Sequence, residues 1–144
     1  QTLIRTITYN NTSDNPTPDR SLSFDGVNDY ISIADSNALD LSSDFALEAW
    51  INPAGTGSDG VAGGIILGKQ DSFQLARFAD GSIRYCLSAA GDGSGDGWIN
   101  TGLSVSTGQW THIALVKSGS SVVVYLNGGA AAGGSEASFS AQPD

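Results

Sequence analysis

The sequence is short of cysteine and positive charge, and each shortage removes a class of explanation. Cys86 stands alone, so no disulfide framework exists within the chain. Lysine and arginine number six against fifteen acids, a net charge of −9. That balance excludes nucleic acid and an anionic membrane surface as natural partners. No apolar run approaches the ~20 residues of a membrane-spanning helix, so no insertion into a bilayer is expected. Walker loops, zinc-ligand spacings and dinucleotide fingerprints are likewise missing. Few segments keep a helical period.

What is present points to strands. The 144 residues suffice for one domain with a real core, 40% of them are hydrophobic, and nineteen are glycine. Thirteen of the fifteen acids are aspartate, mostly beside Gly, Ser or Asn. Such aspartates serve turns, and they are also the ligands that a hard cation such as calcium requires.

The stretch 108–128, GQWTHIALVKSGSSVVVYLNG, organises the rest. Two runs rich in β-branched and aromatic residues, 110–116 and 122–126, flank a polar Ser118-Gly119-Ser120-Ser121, which predicts a hairpin with a loop of about four residues. In the first run Trp110, His112, Ala114 and Val116 share one face, and Thr111, Ile113, Leu115 and Lys117 the other. Apolar residues on both faces predict a strand covered on two sides, with Trp110 a packing residue. Asn127-Gly128-Gly129 supplies the closing turn.

Further strands are expected at 2–9, at 21–33 as two short pieces around Asp25-Gly26, and at 45–51. In the last, Phe45, Leu47, Ala49 and Ile51 alternate with Ala46, Glu48 and Trp50, the tryptophan again read as packing. Strands at 65–68, 73–78, 82–88 and 98–103 follow, and Asp80-Gly81 turns between the second and third of these. Residues 10–19 form a polar loop with two prolines and two overlapping N-glycosylation sequons. Leu39 and Leu41 are expected to tuck under a sheet edge. After Gly129 the composition allows at most one weak strand.

Several groupings bear on chemistry. Asp92, Ser94 and Asp96 with Gly97 match the opening of a calcium loop, D-x-S-x-D-G, but Leu103 occupies the twelfth position where a bidentate Glu belongs. The same residues also suit a metal-free turn. For a ligand, Trp98 and Tyr85 offer aromatic surface, and Asp71, Gln74, Arg77 and Arg84 offer planar hydrogen-bonding groups on adjoining strands. Enzymatic chemistry has little to draw on. Glycoside hydrolysis needs two carboxylates about 5–9 Å apart, whereas Glu48 and Glu136 are the only glutamates, and Trp50 stands two residues on from Glu48. His112 has no readable Ser or Asp relay, and Cys86 reads as an inert strand thiol.

Four segments in order, SLSFDGVNDYISI, FALEAWINP, GKQDSFQLARFADGSIRY and GQWTHIALVKSGSSVVVYLNG, resemble the laminin-G-like, concanavalin A-like jelly-roll family from about Ser21 to Gly129. The resemblance implies an all-β sandwich of two antiparallel sheets, and a module that binds sugars or proteins, often with calcium. It adds Asp25 and Asp29 as metal candidates, since the family often holds a structural calcium near this turn. The E-x-D-x-x-E pattern of hydrolases with this fold is not present, so no enzymatic activity is expected. Residues 1–20 look more like the end of a cadherin-like adhesin repeat, which predicts a boundary between 1–20 and a jelly roll over 21–144. The strands with which the family usually finishes are not found, so they are expected from a second chain, another segment or residues 2–9. The chain opens at Gln1 and is expected to be a piece of a secreted or surface-attached bacterial adhesin. The leading expectation is an extracellular module for a glycan or protein surface. A ligand-free spacer or assembly domain and a hydrolase or lyase relative remain open.

Overall fold

A computed structural model describes residues 30–34, 36, 39–41, 44–56, 64–69, 72–87 and 97–135. Among the described residues eight strands run in chain order: β1 (Phe45–Ile51), β2 (Ile65–Lys69), β3 (Phe73–Arg77), β4 (Ser82–Leu87), β5 (Ile99–Ser104), β6 (Thr111–Ser118), β7 (Ser121–Leu126) and β8 (Gly129–Ser135). They form two four-stranded sheets, the first ordered β1-β6-β7-β8 and the second β2-β3-β4-β5. Every pairing is antiparallel. The all-β, two-sheet architecture expected from the sequence is the one found.

The hairpin that organises the sequence also organises the first sheet. β6 lies between β1 and β7, pairing Leu115 with Leu47 on one side and with Val124 on the other. Its odd residues Thr111, Ile113, Leu115 and Lys117 are buried, while His112, Ala114 and Val116 are half-buried. One face is therefore in the core and the other is open, which corrects the expectation of cover on both sides. Ala114 and Val116 are small enough to sit on a solvated face without a large apolar area. The β6–β7 loop is also tighter than expected. Ser118 pairs with Ser121, leaving Gly119 and Ser120 as the whole turn, and Gly119 takes a left-handed φ of 57°.

The next turn, Asn127-Gly128, joins β7 to β8 with φ of 50° and 81°, the pair of left-handed residues that a tight type I′ hairpin demands. Asn127 does more than turn. Its N–H donates to the His112 carbonyl at 2.9 Å, and its Oδ1 accepts from the His112 N–H at 3.0 Å. β8 (GAAAGGS) is the weak strand that the composition allowed, paired along its length with β7.

The sheets meet through Leu47, Phe73, Leu75, Ile83, Tyr85, Leu87, Val105, Ile113, Leu115, Val122 and Val124. The rings of Phe45 and Phe73 approach to 6.0 Å between centroids, one contact across the sandwich. Leu41 packs against the same core, as expected of the loop before β1. Two compact units divide the chain, Gln1–Asp35 and Ser36–Asp144. Within the first, residues 30–34 have no regular secondary structure, and Tyr30, Ile31 and Ile33 are exposed, so the strand expected at 30–33 is not formed. The boundary expected at residue 20 and the strand expected at 2–9 lie outside the described residues.

One glycine in the second sheet is fixed by space and not by φ. A Cβ on Gly68 in β2 would lie 2.8 Å from the Phe73 carbonyl oxygen across the ladder. Backbone cannot yield as a flexible side chain can, so Gly68→Ala is expected to destabilise the chain by about 1–3 kcal/mol. Chemical denaturation of the variant checks this, and an unchanged midpoint would show that β2 shifts freely.

Candidate recognition surface

Two of the exposed large apolar side chains, Trp50 and Trp110, lie on β1 and just before β6. On β1 the parity of Phe45, Leu47, Ala49 and Ile51 enters the core, which turns Ala46, Glu48 and Trp50 to the open side of the first sheet. Register sets Trp50 opposite His112 and Glu48 opposite Ala114. Trp110 stands just before β6, two residues ahead of His112, whose partner on β1 is Trp50. Trp50 is 64% exposed and Trp110 66%. Their expected role as packing residues is therefore corrected: neither indole is in the core. The signal was available, because Glu48 shares the parity of Trp50 and identifies the solvated side.

The open face is more than two bare indoles. The Trp50 and His112 rings lie 5.2 Å apart between centroids at 45°. The His112 Nε2 stands 3.4 Å from the Glu48 Oε2, and the glutamate side chain is 73% exposed. Tyr125 on β7, opposite Ala114, extends the face and is half-buried. An exposed aromatic pair thus adjoins a carboxylate and an imidazole, held by the β1–β6 ladder and by the Asn127 bonds to the His112 backbone. Such a face can stack on a ligand and hydrogen-bond to it.

The residues expected to form a ligand site divide between the two faces of the second sheet. Tyr85, 2% exposed, belongs to the core cluster, and Arg77 is buried beside it on the inward parity. The Arg77 Nε donates to the Val105 carbonyl at 2.9 Å, and Nη1 donates to the Gly55 carbonyl at 2.9 Å. It ties three chain segments together in the interior. Gln74, Arg84 and Trp98 share the outward side with Phe78. There the Arg84 guanidinium lies 4.1 Å from the Phe78 ring centroid, and Phe78 meets Trp98 edge-on at 5.1 Å. The Arg84 Nε donates to the Ser82 Oγ at 3.0 Å, and Nη2 donates to the Asp80 carboxylate at 3.1 Å. Hydrogen bonds from the Ser82 side chain and backbone, with the nearby Arg84 charge, hold the Asp80 carboxyl below its ordinary pKa. Ala76, Phe78 and Cys86 on this side are all buried, so the aromatic and guanidinium groups here are largely engaged with one another. Trp98 and Gln74 remain half-buried.

Asp71 and the metal candidates Asp25, Asp29, Asp92, Ser94 and Asp96 lie outside the described residues. Among the described residues no three of His, Cys, Asp and Glu gather into one group, and no helix is long and apolar enough to cross a membrane.

Comparison with known proteins agrees with the two-sheet fold. A laminin-G-type family model, described as the concanavalin A-like lectin/glucanases superfamily, matches residues 25–143. No curated protein and no solved structure gives a significant match.

Proposed function

The chain belongs to the laminin-G-type family of the concanavalin A-like lectin/glucanases superfamily, and from that premise we propose that it is a non-catalytic binding module for a glycan or protein surface. The observation that carries this reading is the open face of the first sheet, where Trp50 and Trp110 are about two-thirds exposed beside the Glu48–His112 pair. Tryptophan is among the side chains most often found at the energetic centre of interfaces. The β1–β6 ladder fixes the backbone of Trp50 opposite His112, which lowers its ordering cost on binding, and Trp110 stands one residue before β6. We place the module outside the cell, as one unit of a bacterial adhesin in which weak sites act multivalently.

Glycan and protein arrays probed with the wild-type chain test this reading. Binding is expected to be lost when both Trp50 and Trp110 are changed to alanine, and kept in Trp98→Ala. The reverse pattern would move recognition to the second sheet and return weight to Gln74, Arg84 and Trp98.

Calcium is a separable part of the proposal, assigned to Asp25 and Asp29 and to the loop of Asp92, Ser94 and Asp96. Ligation that occurs only in the folded state stabilises it by ~2.7 kcal/mol at a metal concentration 100-fold above Kd. Thermal unfolding in calcium and then in EDTA is expected to show a higher Tm with the metal. Equal values would remove calcium and leave the open face as the binding surface. The mass in solution, recorded alongside, tests whether a second chain completes the sandwich: a dimer supports that partner and a monomer removes it.

A further inference from the structure

We infer that Asn127, in the β7–β8 turn, is a modification site that loses its side-chain amide spontaneously, through a cyclic imide formed with Gly128. The inference concerns the turn itself and stands whether or not the open face binds a ligand.

The reaction needs a backbone nitrogen with room to approach the Asn127 Cγ. Of the asparagines in the sequence, only Asn127 precedes glycine. Asn52 precedes Pro53, whose nitrogen carries no proton, and Asn100 precedes the β-branched Thr101. Gly128 has no Cβ to block the attack, and both turn residues are exposed. Among the described residues nothing accepts from the Gly128 N–H, so the nucleophile is unengaged.

The electrophile is held in place. The His112 N–H donates to the Asn127 Oδ1 at 3.0 Å. A fixed donor on that oxygen draws charge from Cγ and stabilises the oxyanion that forms when nitrogen adds. The amide Nδ2 has no partner among the described residues and is the group free to leave. The Gly128 nitrogen gives its proton to hydroxide, its electron pair forms the N–Cγ bond, and the Cγ–Nδ2 bond breaks with release of ammonia. Water then opens the ring at either carbonyl, giving aspartate or isoaspartate, and nothing is oxidised or reduced.

The Asp80-Gly81 turn is the unreactive counterpart. Gly81 is buried, and its N–H donates to the Phe78 carbonyl at 2.8 Å. The Asp80 carboxylate accepts from the Ser82 N–H and from the Arg84 Nη2, and an ionised carboxylate is a poor electrophile.

The two products differ in consequence. Aspartate keeps an oxygen for the His112 N–H. Isoaspartate routes the main chain through Cβ and Cγ, so one more carbon enters the tight turn between Leu126 and Gly129. The φ pair of 50° and 81° is then lost, and with it the paired bonds between Asn127 and the His112 backbone. The β7–β8 turn is released from β6.

Incubation of the full chain in mildly alkaline heavy-oxygen water, followed by peptide mass spectrometry, tests the inference. Residue 127 is expected to take up the label ahead of every other asparagine, at a rate within about tenfold of that in the urea-unfolded chain. An isoaspartyl methyltransferase is expected to modify the same peptide. Asn127→Gln, which would need a larger ring, should abolish both signals. The isoaspartyl form, separated by ion exchange, is expected to melt below the parent, with Asn127→Asp closer to it. Conversion in urea alone, or more than about tenfold slower in the folded chain, would overturn the inference and show that the hairpin shields the amide. An isoaspartyl form that melts with the parent would overturn the release of the turn from β6.

Discussion

Leu115→Ala is expected to cost about 2–5 kcal/mol of stability, the range for deleting a buried leucine side chain. Leu115 is fully buried in the middle strand of the first sheet, between Leu47 of β1 and Val124 of β7, and it belongs to the cluster shared with the second sheet. Neighbours on three sides are fixed by strand ladders, so the hole left behind can collapse only in part. Val116→Ala, one residue along, removes atoms from the half-buried open face and is expected to cost less than about 1 kcal/mol. Urea denaturation of both variants measures the difference. Equal losses would mean that the two faces of β6 are equally covered, contrary to the alternation of burial along that strand.

Arg77→Ala is the second large effect. Its guanidinium holds the Val105 carbonyl after β5 and the Gly55 carbonyl after β1, and its backbone N–H donates to the Gly64 carbonyl. Truncation leaves two acceptors without the donor that now satisfies them and empties the space of a buried stem. With each hydrogen bond to a charged group contributing about 1.5–3 kcal/mol, a loss of about 3 kcal/mol is expected. Arg77→Lys should recover only part of it, because an ammonium does not present the planar fork that reaches two separate carbonyls. The stability measurement also separates two roles. A residue acting by ligand contact would leave the melting temperature unchanged in the absence of ligand, whereas this one is expected to lower it.

Strands were legible in the sequence wherever alternation and turn residues agreed. β1 occupies the expected residues 45–51, and β3, β4, β6 and β7 fall within two residues of the expected bounds, because Asp80-Gly81 and Asn127-Gly128 punctuate patterns of period two. Alternation reveals which residues share a side but not how far each side is covered. That limit explains Trp50 on β1 and Trp110 just before β6: both sit among apolar neighbours, and only their exposure, with the register of Trp50 to His112 and Glu48 to Ala114, shows that neither packs in the core. Tyr85 and Arg84 show the converse. Adjacent in sequence, they point to opposite faces of β4, so a list of nearby polar and aromatic residues could not form one site. Arg77 escaped for another reason, since charge suggests the surface until carbonyls from two distant loops, Gly55 and Val105, are seen to converge on it. β8 carried little signal because Gly and Ala have low strand preference, and its pairing with β7 follows from the Asn127-Gly128 turn.

The most direct test of the open face uses the tryptophans as reporters. The chain has three, each with one indole N–H. A nitrogen–proton correlation spectrum, assigned by single Trp→Phe variants and recorded while galactomannan, xyloglucan or β-glucan is added, reads all three sites at once. The indole signals of Trp50 and Trp110 are expected to move together and saturate at one concentration while that of Trp98 stays in place. Movement of Trp98 alone, with the other two unchanged, would contradict the account and place recognition on the second sheet.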